Sequence, residues 1–300
     1  MGAVDASVVA VSLRTRPTVR DFLQLTKPRL SAEVLFTTAG GMWLSGLPLS
    51  GSHWLVTMLA TAGVIASANT FNCYLERDSD RFMTRTAKRP LPGGRMEPRV
   101  ALMFGFVLAA VSLPALALGA NPLTAVLGLT ALLSYVLVYT PMKARTHWAM
   151  VVGAFPGALP PLMGWTAATG KISLPGLVLF AILFFWQLPH FIAIALFRKE
   201  EYRRAGLTSL PLEKGDGTAR RWAVAYLVAL LAVSVLPYVL HVAGLLYLAA
   251  AVGLGAWFFV VGVRGWWLEL DAKWARQFFL VSLIYLTGLF AALGLNAQRF

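Results

Sequence analysis

The chain has 300 residues, 58% of them hydrophobic and 13% charged, with a mean hydropathy of +0.69, which excludes an ordinary water-soluble domain. Its single cysteine, Cys73, excludes an internal disulfide and a cysteine-based metal cluster. The net charge of +13 would suit nucleic acid, but the basic residues follow membrane topology, so no nucleic-acid partner is expected.

Apolar runs of bilayer length recur along the chain and predict an all-α, polytopic membrane protein. We place nine transmembrane helices at roughly 30–47, 53–76, 100–119, 122–140, 148–167, 174–197, 221–240, 243–263 and 277–297. With the N-terminus inside, alternate loops hold 24 of the 26 Lys and Arg residues, and only Lys171 and Arg299 fall on the other side. This asymmetry predicts a cytoplasmic N-terminus and an external C-terminus. The chain divides into a cytoplasmic segment, 1–24, and one transmembrane domain, 25–300.

The N-terminal segment carries Arg14, Arg16 and Arg20 behind an apolar patch too short for a secretory signal. Residues 21–29 form an interfacial lead-in, in which Pro28 opens the first helix and Lys27 and Arg29 sit at headgroup level. Glu33, just inside that helix, snorkels or pairs with Arg29 four residues earlier, the alternative being a functional carboxylate.

Residues 69–94, NTFNCYLERDSDRFMTRTAKRPLPGG, organise the rest. If 69–80 is helical, each four-residue step turns about 400°, so Asn72, Glu76 and Asp80 drift only about 40° per step and form one acidic stripe. Asp78 then points away, toward Arg77 or Arg81. Oxygen ligands on one face, followed by Arg77, Arg81, Arg85, Lys88 and Arg89, suit a Mg²⁺ ion that shares its coordination with a diphosphate. Polar side chains at the end of an apolar run are costly unless they serve a function. Cys73 reads as a small buried residue, and RPLPGG cannot continue a helix, so it folds back as a loop.

In the loop 139–147, Lys143 and Arg145 face the same side as the stripe and serve either topology or phosphate contact. Span five, with GAFPGALPPLMGW at 153–165, is expected to unwind locally and to wall a cavity. In span six Pro189 is expected to interrupt the helix, with Gln187 and His190 on one face; His190 is either a hydrogen-bonded packing residue or a functional one. The following loop places Glu200 and Glu201 before Arg203, Arg204 and a Leu-Pro pair, a faint repeat of the first loop that predicts a second acidic cluster at the same mouth. GWWLELDAKWAR, 265–276, reads as interfacial.

The pattern Asn72-x-x-x-Glu76-x-x-x-Asp80 resembles the first motif of the UbiA superfamily of intramembrane prenyltransferases. KPR (27–29), RTAKRPLP (85–92), YTPMK (139–143), PGALPPLMGW (156–165), WQLPHF (186–191) and EEYRRAGLTSLP (200–211) resemble its haem-farnesylating branch. The chain departs from that pattern at Ala144 and Ala149, where members carry Arg and Asn. The resemblance implies helices around a central cavity and a Mg²⁺-dependent transfer of the farnesyl group of farnesyl diphosphate to the 2-vinyl group of haem B. It implies Asn72, Glu76, Asp80, Glu200 and Glu201 as metal ligands and Lys143 as a catalytic cation. Arg77, Arg81, Arg85 and Arg89 would bind substrate, as would Tyr139, Arg145 and Tyr202, with His190 touching haem. The setting would be a bacterial plasma membrane or a mitochondrial inner membrane, and the partners a haem A synthase or terminal oxidase assembly factors. The motif spacing alone leaves two alternatives: a quinone or chlorophyll-type acceptor, and a haem carrier or transporter with a midplane site.

Overall fold

The computed structural model describes residues 17–268 and 271–296. Most of the 1–24 segment, with Arg14 and Arg16, lies outside the described residues, as do Glu269, Leu270 and the C-terminal Arg299. The described elements are helical: α1 (Val19–Leu25), α2 (Pro28–Leu44), α3 (Gly51–Leu75), α4 (Pro98–Gly119), α5 (Pro122–Leu133), α6 (Thr140–Met142), α7 (Ala149–Thr169), α8 (Leu174–Phe197), α9 (Lys199–Arg204), α10 (Leu210–Lys214), α11 (Asp216–Val239), α12 (Leu245–Trp267) and α13 (Ala272–Leu295).

The chain marks many of these boundaries locally. Prolines at the first turn open α2, α4 and α5, where a missing N–H costs nothing. Ser50 caps α3 through His53 N–H, and Asn121 caps α5 through Thr124 N–H. Gly170, at φ +69°, closes α7 in the left-handed region.

Seven helices among the described residues are long and apolar enough to cross a bilayer, counting 122–142 as one. Seven of the nine predicted spans meet that length and hydropathy requirement. The two remaining predicted spans correspond to α2, which has only 17 residues, and to α7, whose Pro156, Pro160 and Pro161 dilute its hydropathy. Large apolar side chains such as Leu118, Met103 and Leu245 lie exposed on the outer surface, as a lipid-facing wall requires.

Two expected breaks in regular helix are absent. α8 runs continuously through Pro189, and α7 through its three prolines, because tight neighbours hold the chain where single backbone bonds are lost. The irregular turn lies instead at Ser134–Tyr139, a π-helical segment between α5 and α6. It was not anticipated, since wider winding leaves no mark on hydrophobic periodicity.

α3 packs against α4, α2 against α7, α7 against α8, and α8 against both α11 and α13. A large core of Trp186, Phe258, Phe278, Tyr247 and Tyr285 joins α8 to α11–α13. The α2–α7 contact is unusually close: a Cβ on Gly164 would stand 1.9 Å from the Thr38 carbonyl oxygen, and one on Gly41 2.0 Å from that of Pro161. Both obstacles are backbone, so the helices themselves would have to separate. Gly164→Ala is therefore expected to lower the thermal unfolding midpoint of detergent-solubilised protein, at a cost of about 1–3 kcal/mol or more. By contrast Gly253→Ala, which meets nothing within 4 Å, should leave the midpoint unchanged.

Candidate active site

The predicted helix over 69–80 ends five residues early. α3 stops at Leu75, Glu76 is its C-cap, and Asp80 arrives in a separate 3₁₀ turn, Ser79–Phe82. The single acidic stripe is therefore corrected to a helix end plus a turn. Ser79 Oγ donates to the Glu76 carbonyl, and Thr86 Oγ1 to that of Asp80, which shapes the turn without helical bonding. Asn72, Glu76 and Asp80 nevertheless line one cavity of about 180 Å³.

Each acceptor is matched with a cation from a different element. Lys27 Nζ donates to Asn72 Oδ1 at 2.5 Å, Lys143 Nζ to Glu76 Oε1 at 2.6 Å, and Arg89 Nη1 to Asp80 Oδ2 at 2.7 Å. Asn72 also donates from Nδ2 to Thr140 Oγ1 at 3.2 Å, which fixes its amide orientation. Arg85, Tyr139 and Tyr202 complete the polar wall. The loop carrying Arg89 is pinned by Arg95, which bonds the Lys88 carbonyl, the Asp21 carboxylate and Gln24 of α1.

Burial would push the Glu76 carboxyl up, but Lys143 and then Lys27 outweigh it and hold Glu76 below the usual carboxylate range. Lys143 is raised despite its own burial, because Tyr139 and Glu76 stand beside it. Burial lowers Lys27.

Lys27, just before Pro28, occupies the left-handed region at φ 49°, and its side chain lines the cavity.

The other predicted residues lie elsewhere. Arg77 donates to the Tyr74 carbonyl and stacks on the Tyr74 ring. As expected, Asp78 faces Arg77 and Arg81, at 3.8 and 3.9 Å. Arg145 is exposed and does not line the cavity. Glu200 pairs with Arg203 on the surface and Glu201 with Arg198; neither of these carboxylates lines the chamber, whereas the adjacent Tyr202 does. Glu33 forms no pair with Arg29 and instead lines a second cavity.

That second cavity, of about 270 Å³, is apolar and enclosed by α2, α3, α5, α7, α8 and α13. Tyr139 and Phe191 belong to the walls of both chambers. The π turn brings Tyr135 and Tyr139 to this junction, with ring centroids 5.3 Å apart. His190 lines the apolar chamber, as does Gln187, whose amide donates to the carbonyls of Ala154 and Leu183.

No group of three His, Cys, Asp or Glu side chains suited to a metal occurs among the described residues. The set Asn72, Glu76 and Asp80 still fits Mg²⁺, which needs only one or two carboxylates when phosphate and water fill its remaining positions.

Polar donors and clustered cations thus adjoin an apolar chamber within a helical membrane bundle. Residues 34–284 match the UbiA prenyltransferase family, and the chain belongs to it. It is 65% identical to protoheme IX farnesyltransferase of Myxococcus xanthus, over 93% of this chain and 96% of that protein. It is 50% identical to the enzyme of the same name from Sorangium cellulosum, over 88% and 100%. Among solved structures, a digeranylgeranylglyceryl phosphate synthase superposes with a TM-score of 0.80 at 19% identity, covering 94% of this chain and 99% of that one. A UbiA homologue from Archaeoglobus fulgidus bound to DMAPP and Mg²⁺ gives 0.61 at 18% identity, covering 91% and 99%. These two share the fold.

Lys143→Met should remove the closest partner of the half-buried Glu76 carboxylate and cost about 1–3 kcal/mol of stability, part of which Glu76→Gln in the same chain restores. Because the folded pKa of Glu76 is depressed, its contribution is complete above the ordinary value of about 4.3 and is lost as pH falls through the folded value. Thermal midpoints of wild type and Glu76→Gln should therefore converge at acidic pH.

Proposed function

We propose that the chain transfers the farnesyl group of farnesyl diphosphate to the 2-vinyl group of haem B. The observation that carries this reading is the pair of chambers meeting at Tyr139 and Phe191, one lined by cations and oxygen donors and the other apolar. The identity to relatives named for this reaction supports the choice of acceptor.

Asn72, Glu76 and Asp80 would hold Mg²⁺, which when bound supplies Lewis-acid neutralisation of the charge on the departing diphosphate. Lys27, Lys143 and Arg89 exchange their present acceptors for diphosphate oxygens, and Arg85 closes the same wall. The C1–O bond then breaks with its electrons leaving on the diphosphate. Tyr135, Tyr139, Phe191 and Trp186 face the allylic cation with aromatic surface and keep water from it. The vinyl π pair attacks C1 and leaves a cation on the vinyl carbon next to the porphyrin. Water adds there and loses a proton, giving a hydroxyethylfarnesyl side chain. Such a product would pass to a haem A synthase or to terminal oxidase assembly.

With purified protein, haem B, farnesyl diphosphate and Mg²⁺, a more hydrophobic haem should accumulate. Asp80→Ala is expected to lower its rate by at least about 100-fold without changing membrane insertion. Glu200→Ala, whose carboxylate is spent on a surface pair, should retain most of the activity. Prenylation of an aromatic acid or quinone precursor in place of haem would refute the acceptor assignment.

The charge asymmetry supports an orientation with the polar chamber on the cytoplasmic face, together with the N-terminus. A cysteine introduced as Arg145→Cys should react with a membrane-impermeant thiol reagent only from that face, and Lys171→Cys only from the opposite one.

A further inference from the structure

His190 is 8% exposed on α8, and its ring is held from both sides. Trp186 stacks on it with centroids 4.7 Å apart, and Phe279 of α13 lies at the same distance. Only the edges of the imidazole remain free. On one edge Nδ1 lies 2.7 Å from Ser282 Oγ. Ser282 Oγ in turn donates to the Phe279 carbonyl at 2.6 Å. A serine hydroxyl has one proton, and here it is committed, so Ser282 accepts from Nδ1–H. The tautomer follows: Nδ1 carries the proton and Nε2 carries a bare lone pair. Ser282 also fixes the neighbouring ring, since its carbonyl accepts from Trp186 Nε1 at 2.7 Å.

Nε2 forms no protein hydrogen bond and is not fully sealed from open space, and His190 lines the apolar chamber, which puts that lone pair within reach of the chamber's contents. The chamber otherwise offers few proton acceptors. Gln187 offers only an amide oxygen, set against Gly157, whose lone pairs bind a proton weakly, and Glu33, the one carboxylate in the wall, is exposed on α2.

From this geometry we infer that His190 is the proton acceptor for the water that ends the proposed reaction, and that Ser282 is the positioning residue that keeps Nε2 unprotonated and turned to the chamber. The inference rests on the haem-farnesylating reading above. In the step, a water lone pair forms the C–O bond to the vinyl-derived cation, and the water proton moves to Nε2 as the O–H pair stays on oxygen. The imidazolium afterwards returns its proton to solvent. Without this acceptor the cation quenches by losing a proton from the adjacent carbon, whose C–H pair becomes a C=C bond. The product is then lighter by one water.

The test is product analysis by mass spectrometry with purified protein, haem B, farnesyl diphosphate and Mg²⁺ in ¹⁸O-labelled water. Wild type should give a hydroxylated product that carries the label. His190→Ala should lower the hydroxylated share at least about tenfold in favour of the dehydrated product, and added imidazole should restore it. Ser282→Ala should move the share part of the way, Ser282→Thr should bring it back, and Glu33→Gln should leave it unchanged. An unaltered product ratio in His190→Ala overturns the inference, as does a shift in the absorbance of bound haem with no change in ratio, which would assign the ring to the iron. Loss of both products from a folded, haem-binding His190→Ala protein overturns it too, because the residue would then act before water adds. Failure of wild type to farnesylate haem at all defeats the proposed function itself, which separates the two failures.

Discussion

Oxygen acceptors buried at the end of an apolar helix cannot be left bare, and this constraint shapes the inner end of the protein. Asn72, Glu76 and Asp80 satisfy it with Lys27, Lys143 and Arg89, which come from the start of α2, the end of α6 and the loop after α3. Three ion-dipole and ion-ion contacts thus tie four segments into one chamber wall. The arrangement is also chemically poised, because the cations that now neutralise the protein's oxygens are those a diphosphate would attract. A metal arriving with the diphosphate would take over the acceptors as the lysines and the arginine turn to phosphate, so charge stays balanced throughout.

The apolar chamber depends on a different kind of constraint. Its walls come from helices that approach closely through glycine, with Gly157 against Gln187 and Gly153 against the Tyr139 ring. Added volume at either position would displace a chamber side chain. The π turn at Ser134–Tyr139 then aims its aromatic residues at the boundary between the two chambers. Polar leaving-group chemistry and a reactive hydrocarbon cation are thereby adjacent but differently solvated, which is what the proposed reaction requires.

Much of this was legible in one dimension. Bilayer-length apolar runs announce a helical membrane protein, because lipid offers the backbone no partner and only closed hydrogen-bond ladders survive. Oxygen-bearing residues at four-residue spacing, with arginines after them, pointed to one chamber even though the helix meant to align them ends at Leu75. Residues beyond the ladder were harder to read. Glu200 and Glu201 have the composition of a metal site, yet nearby arginines three residues away capture them. A short-range ion pair needs no fold, and composition cannot tell it from a ligand.

Local chemistry therefore determined the solvent, the helical class, most helix starts and the residues of the acidic motif, since each depends on neighbours within a turn or on hydrophobic run length. Tertiary structure alone decided that Lys27 turns inward, that α7 and α8 stay unbroken through their prolines, and that Ser282 meets the imidazole of a histidine 92 positions away. Those outcomes depend on which side chains meet across helices, and such meetings carry no periodicity for a linear reading to find.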